Sequence, residues 1–412
     1  VVKQLNTNCV DCFTIASVDF SHYQPAILAN LHDSLSRRIL ARVDIPSIYD
    51  RAEVDSPASL AFLMGWAMLH RTVQFNEYAH TNSGELLKDP DVETTTHLFG
   101  WYGFGAASDP HASVSFLIGG DMMFGRAVAH TYLAGGFNST VEGLGDRLFW
   151  GTDAGIINLE GPISATPVPD NITSTNLIFN FPPETVGVLS YMHVNVASQA
   201  NNHSLNQGQA GLDNTRSVLA AAKIEALGGP RDEDVKRTVG FKGHGLILWI
   251  IGVHCLSSQP DITGQIKELK EVPSNRVLVF PHCGNEYQPK HSALQEQLYR
   301  SWIDAGADIV VGAHPHVIQD AELYKGRPII YSMGNLLFDQ DFSVETQQGM
   351  LIGGEFTDKG LDLFGLPVKL EKYRPSLMRG IQKNQLLDKL YSSFEKEKVN
   401  TAAGTVLHFS LN

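Results

Sequence analysis

The sequence predicts an α/β fold built in layers, and three observations carry that reading. From Ser113 onward, short apolar runs of strand length alternate with stretches of helical pattern, the mark of sheets covered by helices. Five of those runs end on polar, chemistry-bearing residues, where layered α/β folds place their sites. Apolar residues make up 43% of the 412 positions and charged residues 18%, a balance that belongs to a folded chain rather than a disordered one.

The elements follow in order. Up to about Gly105, Phe13–Val18 reads as a strand, Gln24–Leu40 and Ser59–Leu69 as helices (the second after the Asp55-Ser56-Pro57 start signal), and Thr94–Phe104 as a late strand. A small, polar, Pro-containing stretch, Gly105–Pro110, marks a boundary, which sets a first segment at 1–105 and a linker at 106–112. The main domain, 113–365, opens with the buried strand Ser113–Ile118. It continues with strands at Ala154–Leu159, Val194–Ser198, Leu246–Gly252, Arg276–Phe280, Ile309–Gly312 and Ile329–Ser332. Helices are expected between them at Glu184–Tyr191, Gly208–Ala222 and Ser292–Ala305. The last segment, 366–412, reads as a helical extension around the amphipathic Gln382–Lys398.

Composition excludes some functions. A formal charge of -13 with no dense Lys/Arg cluster argues against a nucleic-acid partner. The longest apolar run, Leu246–Val253, is far short of the roughly 20 residues that span a bilayer, so no transmembrane segment is expected. The start at Val1 has neither the charged nor the apolar part of a secretory signal. It also lacks Met, so it carries no statement about location. Four cysteines are too few for a disulfide scaffold, and the lone Cys9-x-x-Cys12 pair, with no second pair to complete a zinc site, reads as ordinary free thiols.

The chemistry collects at the five strand ends. Gly119-Gly120-Asp121 projects a carboxylate from a strand tip, as a turn residue or as a ligand. Glu160, in Asn158-Leu159-Glu160-Gly161-Pro162, is a loop carboxylate or a ligand. Ala200-Asn201-Asn202-His203-Ser204 reads as an Asn helix cap with a surface His, or as a carboxamide ligand beside a proton-donating His. Pro281-His282-Cys283-Gly284-Asn285-Glu286-Tyr287 and Gly312-Ala313-His314-Pro315-His316 supply imidazoles, the latter two aimed into one pocket. Together these ends offer two carboxylates, one carboxamide and up to four imidazoles. Such a mixed oxygen and nitrogen set suits two hard or borderline cations better than one structural zinc. A cation pair can clamp both the attacking and the leaving oxygen of a hydrolytic displacement.

In their order and spacing, the blocks GGD, NLEGP, ANNHS, HCGNEY, GAHPHVIQ and YSMGNLLFDQ resemble the CapA, or poly-γ-glutamate capsule synthesis, family over about Ser113 to Phe356. The resemblance implies a calcineurin-like metallophosphoesterase αββα sandwich. It also implies two divalent ions of the Mn, Fe or Zn kind. Asp121 would hold the first metal, Glu160 would bridge, Asn202, His282 and His314 would hold the second, and His316 would return to the first. His203 would be the acid that protonates a leaving group, while Gly334 and Asn335 would close the pocket without a chemical role. The substrate implied is a small phosphoester or a cell-envelope polymer, and the location the cell envelope. The alternative is a non-enzymatic envelope scaffold or polymer-binding component. Three departures stand out. Asp121 is followed by Met-Met and not by the Asp-x-His of ordinary phosphoesterases. Cys283 replaces an aromatic, and Asn206 replaces a frequent acidic residue.

A second resemblance covers about Ile15 to Gly105, where VDFSHY, EVDSPASL, HTNSGEL and TTTHLFGWYG are similar to the later half of the Memo-like family (AmmeMemoRadiSam system protein B). It implies a partial Memo-like α/β segment in which Asp19, His22, Asp55, His80 and His97 line the remnant of a pocket. It also implies a cytoplasmic location and, as a third reading, a role as an accessory protein of a radical or oxygenase system. An opened sheet of this kind would leave an edge strand exposed. The oligomeric state stays open.

Overall fold

A computed structural model of the chain describes residues 12–107, 110–164 and 177–411. The first segment forms a three-stranded antiparallel sheet of β1 (His22–Gln24), β2 (Gln74–Asn82) and β3 (Thr94–Gly103), in the order β1-β3-β2. Phe13–Val18 is not a strand, and β2 was not expected. Its residues are polar or only half-buried, so the apolar run that announces a strand is missing. The helices form as expected, at Ala26–Arg42 and Pro57–His70, each stopped by a residue in the left-handed conformation, Val43 and Arg71.

Two larger sheets make up the rest. One contains β4 (Ser113–Met122), β5 (Ala154–Leu159), β6 (Val196–Ser198) and β7 (Glu225–Leu227) as a parallel run. The other contains β8 (Val239–Lys242), β9 (Ile247–His254), β10 (Asn275–His282), β11 (Ile309–Val311), β12 (Ala321–Tyr324) and β13 (Arg327–Ile330), in the order β12-β13-β11-β10-β9-β8. The chain then returns to the first sheet through β14 (Asn335–Leu337), β15 (Gln348–Thr357), β16 (Gly360–Glu371), β17 (Arg374–Leu377), β18 (Lys398–Thr401) and β19 (Gly404–Ser410).

Alternation along the strands decides the layers. Phe116, Ile118 and Ile156 share one buried cluster with Leu248, Ile250, Leu278 and Phe280, so the two sheets face each other across it. The intervening Leu117 and Ile157 point the other way, towards Val188, Leu189 and Leu219 of the helices Thr185–Tyr191 and Gly208–Ala221. Ile251, Val277 and Val279 meet Ile266, Tyr299 and Trp302 of the helices Thr263–Lys270 and Ala293–Ala305. Helix, sheet, sheet and helix stack in that order, the αββα sandwich expected of the calcineurin-like class.

Two expectations are corrected. The C-terminal stretch is not a helical extension: the boundary at 365/366 falls inside β16, and β17 to β19 complete the first sheet around one helix, Gly380–Tyr391. That helix stops before Lys398, which already belongs to β18. The cysteines are not free thiols either. Cys255 is bonded to Cys283 and Cys12 is disulfide-bonded, while Cys9 lies outside the described residues.

The first segment is seated on the sandwich. Helix Ala26–Arg42 sends Leu28 and Leu31 into the outer cluster of the first sheet, and Leu35, Ile39 and Leu40 into a small core of its own. Asp153, in the turn before β5, is buried between Arg38 (2.7 Å) and Arg51 and also accepts from the Ser115 backbone N–H at 2.8 Å. Removing one partner of a buried ion pair strands the other charge. Asp153→Ala is therefore expected to cost about 3–5 kcal/mol, read as a drop in urea midpoint. Glu93→Ala, which breaks the exposed pair with Arg379, should change stability by less than about 1 kcal/mol.

Candidate metal centre

All six expected ligand residues and His203 come to one edge of the sandwich, where the exit ends of β4, β5 and β6 meet those of β10 and β11. Asp121 is the ninth residue of β4. It needs Gly120 before it because the Gly334 carbonyl oxygen lies only 2.0 Å from where a Cβ would stand, and the same carbonyl accepts the Asp121 N–H at 3.2 Å. Glu160 directly follows β5 and is fully buried, yet among the described residues neither carboxylate oxygen is met by a hydrogen-bond donor.

Ligand atoms gather around Glu160 on two sides. On one side Asp121, Glu160 and His316 offer atoms that all lie within 4.8 Å of one another. On the other, Glu160, His282 and His314 do the same. Asn202 Oδ1 stands 2.8 Å from His282 Nε2, and His314 Nδ1 stands 3.1 Å from it. At metal–ligand distances near 2.1 Å, adjacent ligands sit roughly 3 Å apart, so these spacings suit a shared cation. A buried carboxylate with no donor is otherwise costly to keep ionised. Donor set and orphaned carboxylate both fit divalent ions.

Charge follows the same logic. Burial, reinforced by Asp121 and Glu286, holds the Glu160 carboxyl well above its ordinary range. Burial and the neighbouring imidazoles hold His282 well below the usual value and push His314 down to about 3, leaving both rings neutral with lone pairs free for a cation. His314 and His316 have φ of 99° and 58°, left-handed values that strain residues with a Cβ. The His314 N–H donates to Asp121 Oδ2 at 3.1 Å, which helps hold that turn.

His203 lies beside the group, with Nε2 3.8 Å from Glu160 and its ring stacked on Phe179 at 4.0 Å. Its Nδ1 contacts Asn206 Oδ1 at 2.9 Å, so the amide that replaces the expected acid still orients the ring. Burial lowers the His203 pKa.

Several residues with a part in this geometry carried no role in the sequence reading. Asn158 Nδ2 reaches Asp121 Oδ1 (2.7 Å) and His282 Nδ1 (3.1 Å), tying the two sides together. Asn335 is more than a pocket wall: its Oδ1 contacts His316 Nδ1 at 3.0 Å, fixing which nitrogen faces Glu160. Glu286 offers a further carboxylate to His314 and His316. Asn158, Asn335 and Glu286 lie inside motifs already singled out. His254 at the end of β9 pairs in register with His282, their rings 6.3 Å apart. The signal for it was a repeated His-Cys dipeptide, His254-Cys255 and His282-Cys283.

The first segment makes no such gathering. His22 pairs with Asp19 at 3.6 Å, His80 with Asp33 at 2.9 Å, and Asp55 accepts the Asp19 N–H. Asp19, His22, Asp55, His80 and His97 supply no group of three converging ligand atoms among the described residues.

The Cys255–Cys283 bond joins the residues that follow His254 and His282 and closes a loop 28 positions long. A loop of that length corresponds to about 3–4 kcal/mol of chain entropy removed from the unfolded state. Reduction, or Cys255→Ser with Cys283→Ser, is expected to lower the thermal midpoint accordingly and to weaken metal retention through His282. Calorimetry with and without reductant, followed by metal analysis, checks both.

The family model for bacterial capsule synthesis protein PGA_cap matches residues 115–254 and 252–340, more than half of the chain. The PGA biosynthesis protein CapA of Bacillus subtilis is 28% identical over 321 residues, covering 72% of this chain and 83% of that protein. The capsule biosynthesis protein CapA of Bacillus anthracis is 29% identical over 259 residues, 58% of this chain and 63% of that protein. A probable polyglutamine synthesis accessory protein of Mycobacterium tuberculosis is 25% identical over 288 residues, 55% of this chain and 75% of its own length. Among solved structures, a phosphatase from Mycoplasma pneumoniae is 14% identical with a TM-score of 0.35, over 66% of this chain and 92% of its own; the layers described above stand without it. The matched span runs from β4 past β14 and takes in every residue gathered around Glu160, and the chain belongs to the PGA_cap family of bacterial capsule synthesis proteins.

Proposed function

We propose that the chain is a dimetal hydrolase or transferase of capsule biosynthesis, acting on a phosphoester or on an acidic envelope polymer such as poly-γ-glutamate. The observation that carries this is Glu160: a fully buried carboxylate, without a hydrogen-bond donor, shared by two ligand groups. Asp121, Glu160 and His316 would hold one divalent ion of the Mn, Fe or Zn kind. Glu160, Asn202, His282 and His314 would hold the second. Such a pair supplies positive charge for activating water and for neutralising charge on the leaving oxygen. His203 is the group assigned to deliver a proton to that oxygen, oriented through Nδ1 by Asn206. Asn158 and Asn335 position the ligands. The relatives are capsule proteins and the chain carries a disulfide, so the envelope is the assigned location.

One observation favours a second reading, a non-enzymatic envelope scaffold or polymer-binding component. Asn206 gives His203 an amide where a carboxylate would better stabilise a protonated ring.

Metal analysis of the purified protein separates the site from its absence. Two equivalents are expected in the wild type, and fewer in His314→Ala and His316→Ala; unchanged content would sink the assignment. Asn335→Ala should weaken metal affinity by about 10–100-fold.

Glu160→Gln gives an independent check. The folded-state pKa of Glu160 is raised, so the stability it lends is present below its unfolded value and is lost as pH rises towards the raised one. Around neutral pH the chelated Glu160→Gln protein is therefore expected to melt at or above the chelated wild type, and to gain little on adding Mn²⁺. A screen of phosphomonoesters, phosphodiesters and γ-linked glutamate oligomers with Mn²⁺ then decides between readings. Turnover lost in His203→Gln supports the enzyme, and inactivity of the metal-loaded protein supports the scaffold.

A further inference from the structure

At the opposite end of the second sheet from the ligand groups lies a cleft of about 430 Å³ whose walls carry Lys270, Arg276, Lys325 and Arg327. It sits at the entry ends of β10, β11 and β13, while the ligand groups sit at the exit ends of β10 and β11. The eight residues of β10 put roughly 23 Å between the two.

Four cations in one cleft are unusual on a chain of net charge -13. Two have acidic partners: Lys270 bonds Asp308 at 2.8 and 3.0 Å, and Lys325 bonds Asp304 at 2.5 Å. Among the described residues, the two arginines do not. Arg276 donates only to the carbonyls of Pro273 (2.9 Å) and Asn275 (3.1 Å), and its buried Nε has no partner. Arg327 donates to the Ser410 carbonyl at 3.0 Å. The helices Thr263–Lys270 and Ala293–Ala305 both end near this cleft, and a helix C-terminus attracts cations. Each such end is worth roughly half a negative charge, so among the described residues these ends and the two aspartates leave about one positive charge uncompensated.

We propose that this cleft binds carboxylates of an acidic peptide chain, as a seat for polymer separate from the metal centre. Arginine is the suited residue, because its planar fork meets a carboxylate through two parallel N–H groups. The net charge of -13 repels a polyanion overall, so attraction is expected where cations outnumber acids. The choice of a polyglutamate-like occupant rests on the polymer part of the function proposed above; the charge of the cleft does not.

The test is fluorescence anisotropy of a labelled γ-linked glutamate oligomer added to the full chain. Saturable binding that weakens with salt is expected in the wild type. Arg276→Ala with Arg327→Ala should weaken it about tenfold or more, as loss of charge-assisted hydrogen bonds does. Lys325→Glu, at an exposed turn position where folding is not at stake, should also weaken it. The titration is run on the chelated protein, where the metal centre has no ion to hold the oligomer, so the two proposals fail separately. No binding by the chelated wild type, or equal binding by the cleft variants, would each overturn the proposal. Displacement by inorganic phosphate as effective as by oligomer would overturn it in favour of a simple phosphate site.

Discussion

A carboxylate with no donor, sealed between two sheets, sets terms that everything around it has to meet. Glu160 is fully buried and neither oxygen accepts a hydrogen bond, so in a metal-free fold the ionised group would face the full cost of desolvation. Protonation is one relief, and the upward shift of its pKa shows the fold pushing that way. A cation is the other. Asp121 and Glu286 raise the electrostatic cost of keeping Glu160 charged, and for the same reason they deepen the well for a divalent ion. The neutral imidazoles of His282 and His314 contribute lone pairs without adding a competing positive charge. Burial perturbs acids and bases in opposite senses: it leaves the imidazoles in the neutral form that a metal requires, while Glu160 has to give up a proton when a cation binds.

The sandwich makes that arrangement possible. A single sheet would bring Asp121, Glu160 and Asn202 together but could not bring His282 and His314 to face them. Packing β4 to β6 against β10 and β11 with their exit ends on one side supplies both halves. The backbone bears part of the cost, because His314 and His316 both stand in left-handed conformations. Two histidines around a proline would relax to extended backbone if nothing held them, and the Asp121 and Asn335 side chains are what hold them.

The parts of this legible in the sequence share a physical property. β4, β5, β9 and β10 are buried on both faces, so they read as uninterrupted apolar runs ending at turn residues, and the chemistry falls at their ends. β2 and the closing strands β17 to β19 are partly exposed, with polar residues breaking the run, and one-dimensional pattern shows them poorly. The same distinction holds in the site. Asp121, Glu160 and the His-Pro-His turn announce ligand chemistry by residue type alone. Asn158 and Asn335 act through what they touch, and contacts between positions as far apart as 158 and 282 are not written in local order. The disulfide was missed for a related reason: each cysteine looks isolated until two parallel strands in register bring them side by side.

That pairing gives Cys255–Cys283 a more specific meaning than added stability. In parallel neighbours in register, side chains one residue apart face opposite sides, so the His254 and His282 rings share one face and the two sulfurs share the other. Cys255 and Cys283 sit in the outer cluster with Ile251, Val279 and Tyr299, so the bond is buried in apolar packing beneath the outer helices. A brace there fixes the relative height of two strand tips directly behind the ligand groups. On the opposite side, Asp153 pins the first segment to the turn before β5, and hence to the strand that carries Glu160. On the second sheet the ligand-bearing tips are thus held by a covalent bond, while on the first a buried ion pair anchors β5 at its entry end, with the whole strand between it and Glu160. Positioning of this kind is what a polar site needs when its own carboxylate and histidine turns pull against the fold.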